Sequence, residues 1–221
     1  ASATNTEGDT AAQANFNESV GLQNIGVSAG TSGDLDVDVD ADAIASATTV
    51  GDAAAPANAT AMADADHIIG IEDVGATSGD FEFGTSADIA VNVGTSADRI
   101  TVSATATSQT GNANADALLN ENTGISEYAN TNGEVAEIKV GTDANITANA
   151  FNDVDAAATT KTGDSTADAV INEAFGINID YSSSSNATSA SLVSGESSTV
   201  TATADTSSTV IATTETGSAT A

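Results

Sequence analysis

The chain contains no cysteine and no tryptophan, one proline, one histidine, one methionine and three basic residues. Without cysteine there are no disulfides, no thiolate metal sites and no thiol nucleophile. Arg99, Lys139 and Lys161 are too few to make a cationic patch. That excludes phosphate-backbone recognition of nucleic acid and attraction to an anionic membrane surface. No run approaches the 18 apolar residues of a spanning helix, which excludes membrane insertion by one. Aromatic residues make up 3% of the chain, so large rings do not build its interior.

What is present is small and acidic. Alanine is about one residue in five of the 221, and serine, threonine, asparagine, aspartate and glycine fill most of the rest. Thirty-two acids give a net charge of −29. Charge of that size often keeps a chain unfolded, but 40% of the residues are hydrophobic and the mean hydropathy is −0.04. Disordered acidic chains are more polar than this. The balance points to a fold of small side chains, packed thinly and repetitively. Ala1 opens the chain without a charged or apolar leader, so a secreted product with its signal removed is expected, extracellular or at the cell surface. Acid excess keeps such a protein soluble and holds filaments apart. Asn17, Asn58, Asn145 and Asn186 stand in N-x-S/T sequons and are glycosylation candidates.

The sequence repeats. Gly8-Asp9, Gly111-Asn112 and Gly163-Asp164 are each followed by Asn-Glu, at Asn17-Glu18, Asn120-Glu121 and Asn172-Glu173, and then by a second glycine. A fourth copy places Gly51-Asp52 in the first slot, with extra residues around Pro56. The second glycines, Gly21, Gly70, Gly124 and Gly176, are 49, 54 and 52 residues apart. A single repeat-built domain over 1–221 follows: a partial repeat at 1–20, repeats at 21–69, 70–123 and 124–175, and a truncated last repeat at 176–221. Blocks opening on Gly30-Thr31, Gly94-Thr95, Gly141-Thr142 and Gly195-Glu196 precede the later motifs, and an additional one at Gly84 duplicates a strand in the second repeat.

Within each block the period is two. Leu35, Val37, Val39 and Ala41 alternate with Asp34, Asp36, Asp38 and Asp40; Ile100, Val102, Ala104 and Ala106 alternate with polar residues. Alternation bounded by glycine and threonine reads as half-buried strand. The expected fold is all-β, made of tandem repeats of about 52 residues in a stacked, solenoid-like arrangement. A β-sandwich or jelly roll with strand exchange is the second architecture.

Candidate sites follow from spacing. The row Asp34, Asp36, Asp38 and Asp40, continued by Asp42, puts carboxylates about 7 Å apart on one strand face. Such a row is a candidate for Ca2+ through oxygen ligands, against the plainer reading of a solvated acidic face; no other cofactor is expected. The Thr105–Thr107 and Thr199–Thr201–Thr203 rows have the spacing of a flat hydroxyl array, although threonine is also simply a strand former. His67 has Asp64 and Asp66 nearby but no marked nucleophile, so it reads as an ordinary surface histidine and an enzyme is the least favoured class. Asn17, Asn120 and Asn172 are candidates for a ladder of amides hydrogen-bonded from repeat to repeat.

The run Ala14-Asn15-Phe16-Asn17-Glu18-Ser19, followed by Asn24-Ile25-Gly26-Val27-Ser28-Ala29-Gly30, resembles the repeats of secreted functional-amyloid fibre proteins of the Fap type, with echoes at 115–125 and 167–180. Ala29-Gly30-Thr31 with Asp34-Leu35-Asp36-Val37 is similar to the strand start of TasA-like matrix proteins, which polymerise by donating a terminal strand. Both resemblances imply a secreted fibre subunit whose partners are copies of itself. The residues expected at subunit contacts are Ala1, Ala3, Thr4, Thr6, Ala12, Ala14 and Phe16 on one side, and Ala212, Thr214, Thr216 and Ala219 on the other. The rival reading is a repeat segment of a cell-surface adhesin, or a cation- or ice-binding array.

Overall fold

The computed structural model describes residues 1–24, 28–29, 33–51, 55–75, 80–129, 135–181 and 189–221. In chain order the strands are β1 (Ser2–Asn5), β2 (Thr10–Asn24), β3 (Ser28–Ala29), β4 (Asp34–Val39), β5 (Ala43–Thr49), β6 (Ala59–Gly75), β7 (Asp80–Phe83) and β8 (Asp88–Val93). They continue as β9 (Ile100–Thr110), β10 (Ala113–Ala129), β11 (Val135–Val140), β12 (Asn145–Thr162), β13 (Ser165–Tyr181), β14 (Ser189–Ser194), β15 (Thr199–Thr216) and β16 (Ala219–Thr220). Among the described residues there is no helix.

The strands form three sheets. The first runs β1-β5-β9-β12-β8-β4, with β15 also on β12; the second runs β16-β13-β10-β6-β2; the third runs β14-β11-β7-β3. Every pairing among the described strands is parallel. Each strand lies beside its counterpart in the neighbouring repeat, so Thr10, Ala59, Ala113, Ser165 and Ala219 share one column. Parallel neighbours need a crossover. Here strands of the other two sheets supply it, where most parallel proteins use helices.

This corrects both expected architectures. A sandwich or jelly roll is made of antiparallel neighbours, and none occurs among the described residues. A uniform solenoid-like array is not what forms either. The described strands make three separate parallel sheets, and the first of them branches: β12 pairs β8 through Asn145–Ala150 and β9 from Asn152 on. Between β8 and β9 the backbone leaves the sheet in a turn, where Thr95 N–H donates to Asp98 O at 2.6 Å. Alternation of side chains identifies a strand, but it carries no information on the direction of the partner or on which sheet the strand joins.

Small side chains set the spacing of the layers. Ala45 and Ala47 of β5, Ala61 and Ala63 of β6, Ala104 and Ala106 of β9, and Ala115 and Ala117 of β10 are buried in one cluster. Methyl groups facing methyl groups let the first and second sheets approach closely, and close packing leaves little room for a larger residue there. Larger side chains gather in a second cluster, with Ile71, Phe81, Phe83, Ile89, Val91, Ile125, Ile138 and Ile146. The Gly21–Gly70–Gly124–Gly176 column lies near the first sheet. A Cβ on Gly70 would collide with Val91, and one on Gly176 would come within 2.5 Å of the Thr203 nitrogen.

Candidate functional site

Three arrays of side chains and two sets of open strand edges are the features with chemical potential. The first array is a corner. Asp9 Oδ1 accepts from Asn58 N–H at 2.8 Å, Asn58 Oδ1 from Asn112 N–H at 2.9 Å, Asn112 Oδ1 from Asp164 N–H at 3.0 Å, and Asp164 Oδ1 from Ser218 N–H at 2.9 Å. Beside it, hydroxyls of Thr49, Ser108, Thr160 and Thr214 donate to the carbonyls of Gly8, Ala57, Gly111 and Gly163, at 2.7 to 3.0 Å. Each side chain thus satisfies a backbone group that the turn takes out of the sheet. Gly163 has φ 128°, which glycine adopts freely, and its absent Cβ leaves room for the Gly111 carbonyl. The Gly51-Asp52 pair does not fill this slot. Ala57-Asn58 does, and Asp52 lies outside the described residues.

A second array crosses the first sheet. Asn149 Nδ2 donates to Asn92 Oδ1 at 3.0 Å and Asn92 Nδ2 to Asp38 Oδ1 at 2.8 Å. Thr203 follows Asn149 in the same column. The expected Asn ladder lies on the second sheet. Asn172 Nδ2 donates to Asn120 Oδ1 at 2.7 Å. The position between Ala65 and His67 is Asp66, so an acid stands in the column between Asn120 and Asn17.

The third array surrounds His67. Its register neighbours are Glu18 on β2 and Glu121 on β10, and Glu173 follows on β13. The histidine therefore replaces a glutamate in a glutamate column. Its Nδ1 lies 2.7 Å from Glu121 Oε2 and its Nε2 3.1 Å from Glu72 Oε1. Gln23 Nε2 donates to the other Glu72 oxygen at 2.7 Å. The hydrogen bonds to Glu121 and then Glu72 push the imidazole up from 6.5 to about 10, against the opposing effect of burial. Glu72 is held below its ordinary range, first by the hydrogen bond from His67. Asp116 goes the other way: burial raises it first, then the nearby charges of Asp168 and Asp64. A groove of about 260 Å³ opens here, lined by His67, Glu72, Glu121, Tyr128, Glu173 and Asp180 among others. A protonated imidazole clamped by two carboxylates neutralises local charge.

The remaining sequence candidates fall as follows. Asp34, Asp36 and Asp38 line the exposed face of β4, and Asp40 lies just beyond its end. Asp42 Oδ1 accepts from Thr101 N–H at 2.7 Å. Among the described residues no group of three or more histidines, aspartates or glutamates is arranged to hold a metal ion. Asn17, Asn58 and Asn145 are exposed, and Asn186 lies outside the described residues. The Ile25–Val27 and Gly30–Thr31 stretches of the fibre-protein resemblances also lie outside them.

The proposed contact residues sit on opposite edges. Ala1, Ala3, Thr4 and Thr6 belong to β1 and its flanks, which lie against β5, and Ala12, Ala14 and Phe16 belong to β2. Ala212, Thr214 and Thr216 lie on β15, and Ala219 is on β16. Among the described strands β2, β3 and β4 have no partner on one side, and neither do β14, β15 and most of β13 on the other. Leu22 stands exposed on the first edge, and Phe175, Leu192, Val193 and Ile211 on the second. No family model matches the chain, and no curated protein or solved structure matches it.

Proposed function

We propose that this protein is the structural subunit of an extracellular filament (a pilus-like thread, functional-amyloid or matrix fibre) assembling head to tail by pairing of β-strands between copies. The observation that carries this reading is the pair of open edges. They lie at opposite ends of the same columns and point in the same direction, so the edge of one copy offers the register that the next copy needs. A contact of this kind is heterologous and does not close on itself, which generates a filament and not a ring. Backbone groups along unpaired edges supply the affinity, and the small alternating side chains supply the register.

Negative-stain microscopy and sedimentation of the purified 221-residue chain test the reading. Filaments or fast-sedimenting polymer are expected at moderate concentration. A chain that stays monomeric up to high concentration and salt overturns it and favours the repeat segment of an adhesin, in which further repeats would cover the same edges.

A further inference from the structure

The two open edges carry one segment in duplicate. Residues 1–12 and 210–221 occupy the same columns at opposite ends. Ser2–Asn5 pair with Ser46–Thr49, and the same columns run through Thr105–Ser108 and Ala157–Thr160 to Ile211–Thr214. Asp9 and Ser218 are the two ends of the corner array. Two copies that continue the columns across a joint would therefore bring two segments to one slot, and one of them must leave.

We infer that the joint forms by replacement: Val210–Ala221 of one copy takes the place of Ala1–Ala12 of the next, on β5 and the start of β6. This inference rests on the filament reading and specifies its contact. The segment that leaves is the shorter strand, since β1 has four residues and β15 has eighteen, seventeen of them paired with β12. The incoming segment offers an equivalent for the hydrogen bonds that are lost. Ser46 N–H donates to Ala1 O, and Val210 O stands in that column; Val50 N–H donates to Asn5 O, and Thr214 O replaces it. The Thr49 hydroxyl donates to Gly8 O, for which Gly217 O substitutes, and Asn58 N–H exchanges Asp9 Oδ1 for Ser218 Oγ. Gly8 and Gly217 both have positive φ, 106° and 138°, so both make the same turn. Ala3 and Ala212 are both partly buried against the alanine core.

The rest of the edges then meet in register. β2 beyond Ala12 reaches the uncovered part of β13, β3 meets β14, and β4 meets the first half of β15. The last pairing sets Asp34, Asp36 and Asp38 opposite Thr199, Thr201 and Thr203 of the neighbour. The hydroxyls donate to carboxylates, and the Asp38–Asn92–Asn149 array runs on through the neighbour's Thr203. Two β4 edges meeting each other would oppose carboxylates along their whole length, so the joint has one polarity.

Disulfide trapping in the full chain tests this. In Ser46→Cys with Ile211→Cys, the two positions of one molecule are three strand spacings apart, about 14 Å. A disulfide needs Cα atoms within about 7 Å. Covalent multimers on oxidation of polymer are therefore expected, and none from dilute monomer. Polymer that forms without this crosslink overturns the joint while leaving the filament reading intact; absence of polymer from the unmodified chain overturns both. Ala3→Asp, which expels β1 from the core edge, is expected to shorten the assembly lag at least about twofold, and Ala212→Asp to abolish assembly. Slower assembly of Ala3→Asp shows that β1 stays in the joint and refutes replacement. Circular dichroism of each variant confirms that strand content is kept.

Discussion

His67 Nδ1 lies 2.7 Å from Glu121 Oε2, in a column where the neighbouring repeats carry glutamate. The single histidine of the chain therefore sits where a row of like charges would otherwise be unbroken. Parallel, in-register pairing of repeats is what makes this matter. It sets each side chain about 4.8 Å from its counterpart, so an acid kept in every repeat repels itself along the column.

The pH dependence of stability follows from this cluster. His67 titrates near 6.5 when unfolded and about 10 when folded. A raised folded value means that the stabilisation is fully present below 6.5 and is lost as pH rises through about 10. Glu72, shifted downward, contributes in the opposite sense: its stabilisation is present above 4.5 and is lost as pH falls. Thermal melts are expected to show a falling midpoint from pH 6.5 to 10. His67→Gln should flatten that fall while lowering stability at pH 6. A slope unchanged by the substitution would refute the role of His67.

The corner array makes a discriminating pair of substitutions. Asn112→Ala removes the acceptor for Asp164 N–H and is expected to cost about 1 kcal/mol in urea unfolding. Asn112→Asp keeps an acceptor oxygen, as Asp9 and Asp164 do in the same column, but sets a carboxylate beside Asp164, so it should cost clearly less at high salt, where that repulsion is screened. Equal losses would show that the hydrogen bond contributes nothing.

Gly163→Ala places a methyl group against the Gly111 carbonyl at a residue with φ 128°. Strain of this kind costs about 1–3 kcal/mol. Gly33→Ala, where a Cβ meets nothing within 4 Å, is the matched control and should change the unfolding midpoint little.

Asn122 is fully buried, and neither polar atom of its side chain has a hydrogen-bond partner among the described residues. Its column neighbours are Ile68 and Ala174. Asn122→Ile extends the apolar column and removes a desolvated amide, so a gain of about 1–2 kcal/mol is expected in denaturant unfolding. A loss would mean that the amide is satisfied in solution.

Some of this was legible in the residues alone. Alternation such as Val102, Ala104 and Ala106 against Thr101, Ser103 and Thr105 is a local signal, and it marks β9 correctly as a strand. The columns were legible too, since Gly21, Gly70, Gly124 and Gly176 recur at the separations that the sheets use. The corner slot of the second repeat was not. Gly51-Asp52 mimics the motif, but only the pairing of Thr10 with Ala59 shows that Asn58 stands beside Asp9. His67 likewise looked incidental, because its partners lie 54 residues away at Glu121 and five away at Glu72.

The sequence by itself determined that the chain is β, repetitive, acidic and made of small side chains, because composition and period are properties of neighbours along the chain. Only the tertiary structure decided that every pairing among the described strands is parallel, that three sheets share those strands, and which side chains meet in columns. Those outcomes depend on contacts between residues about 50 positions apart. A period of two is identical for either strand direction and for any choice of sheet.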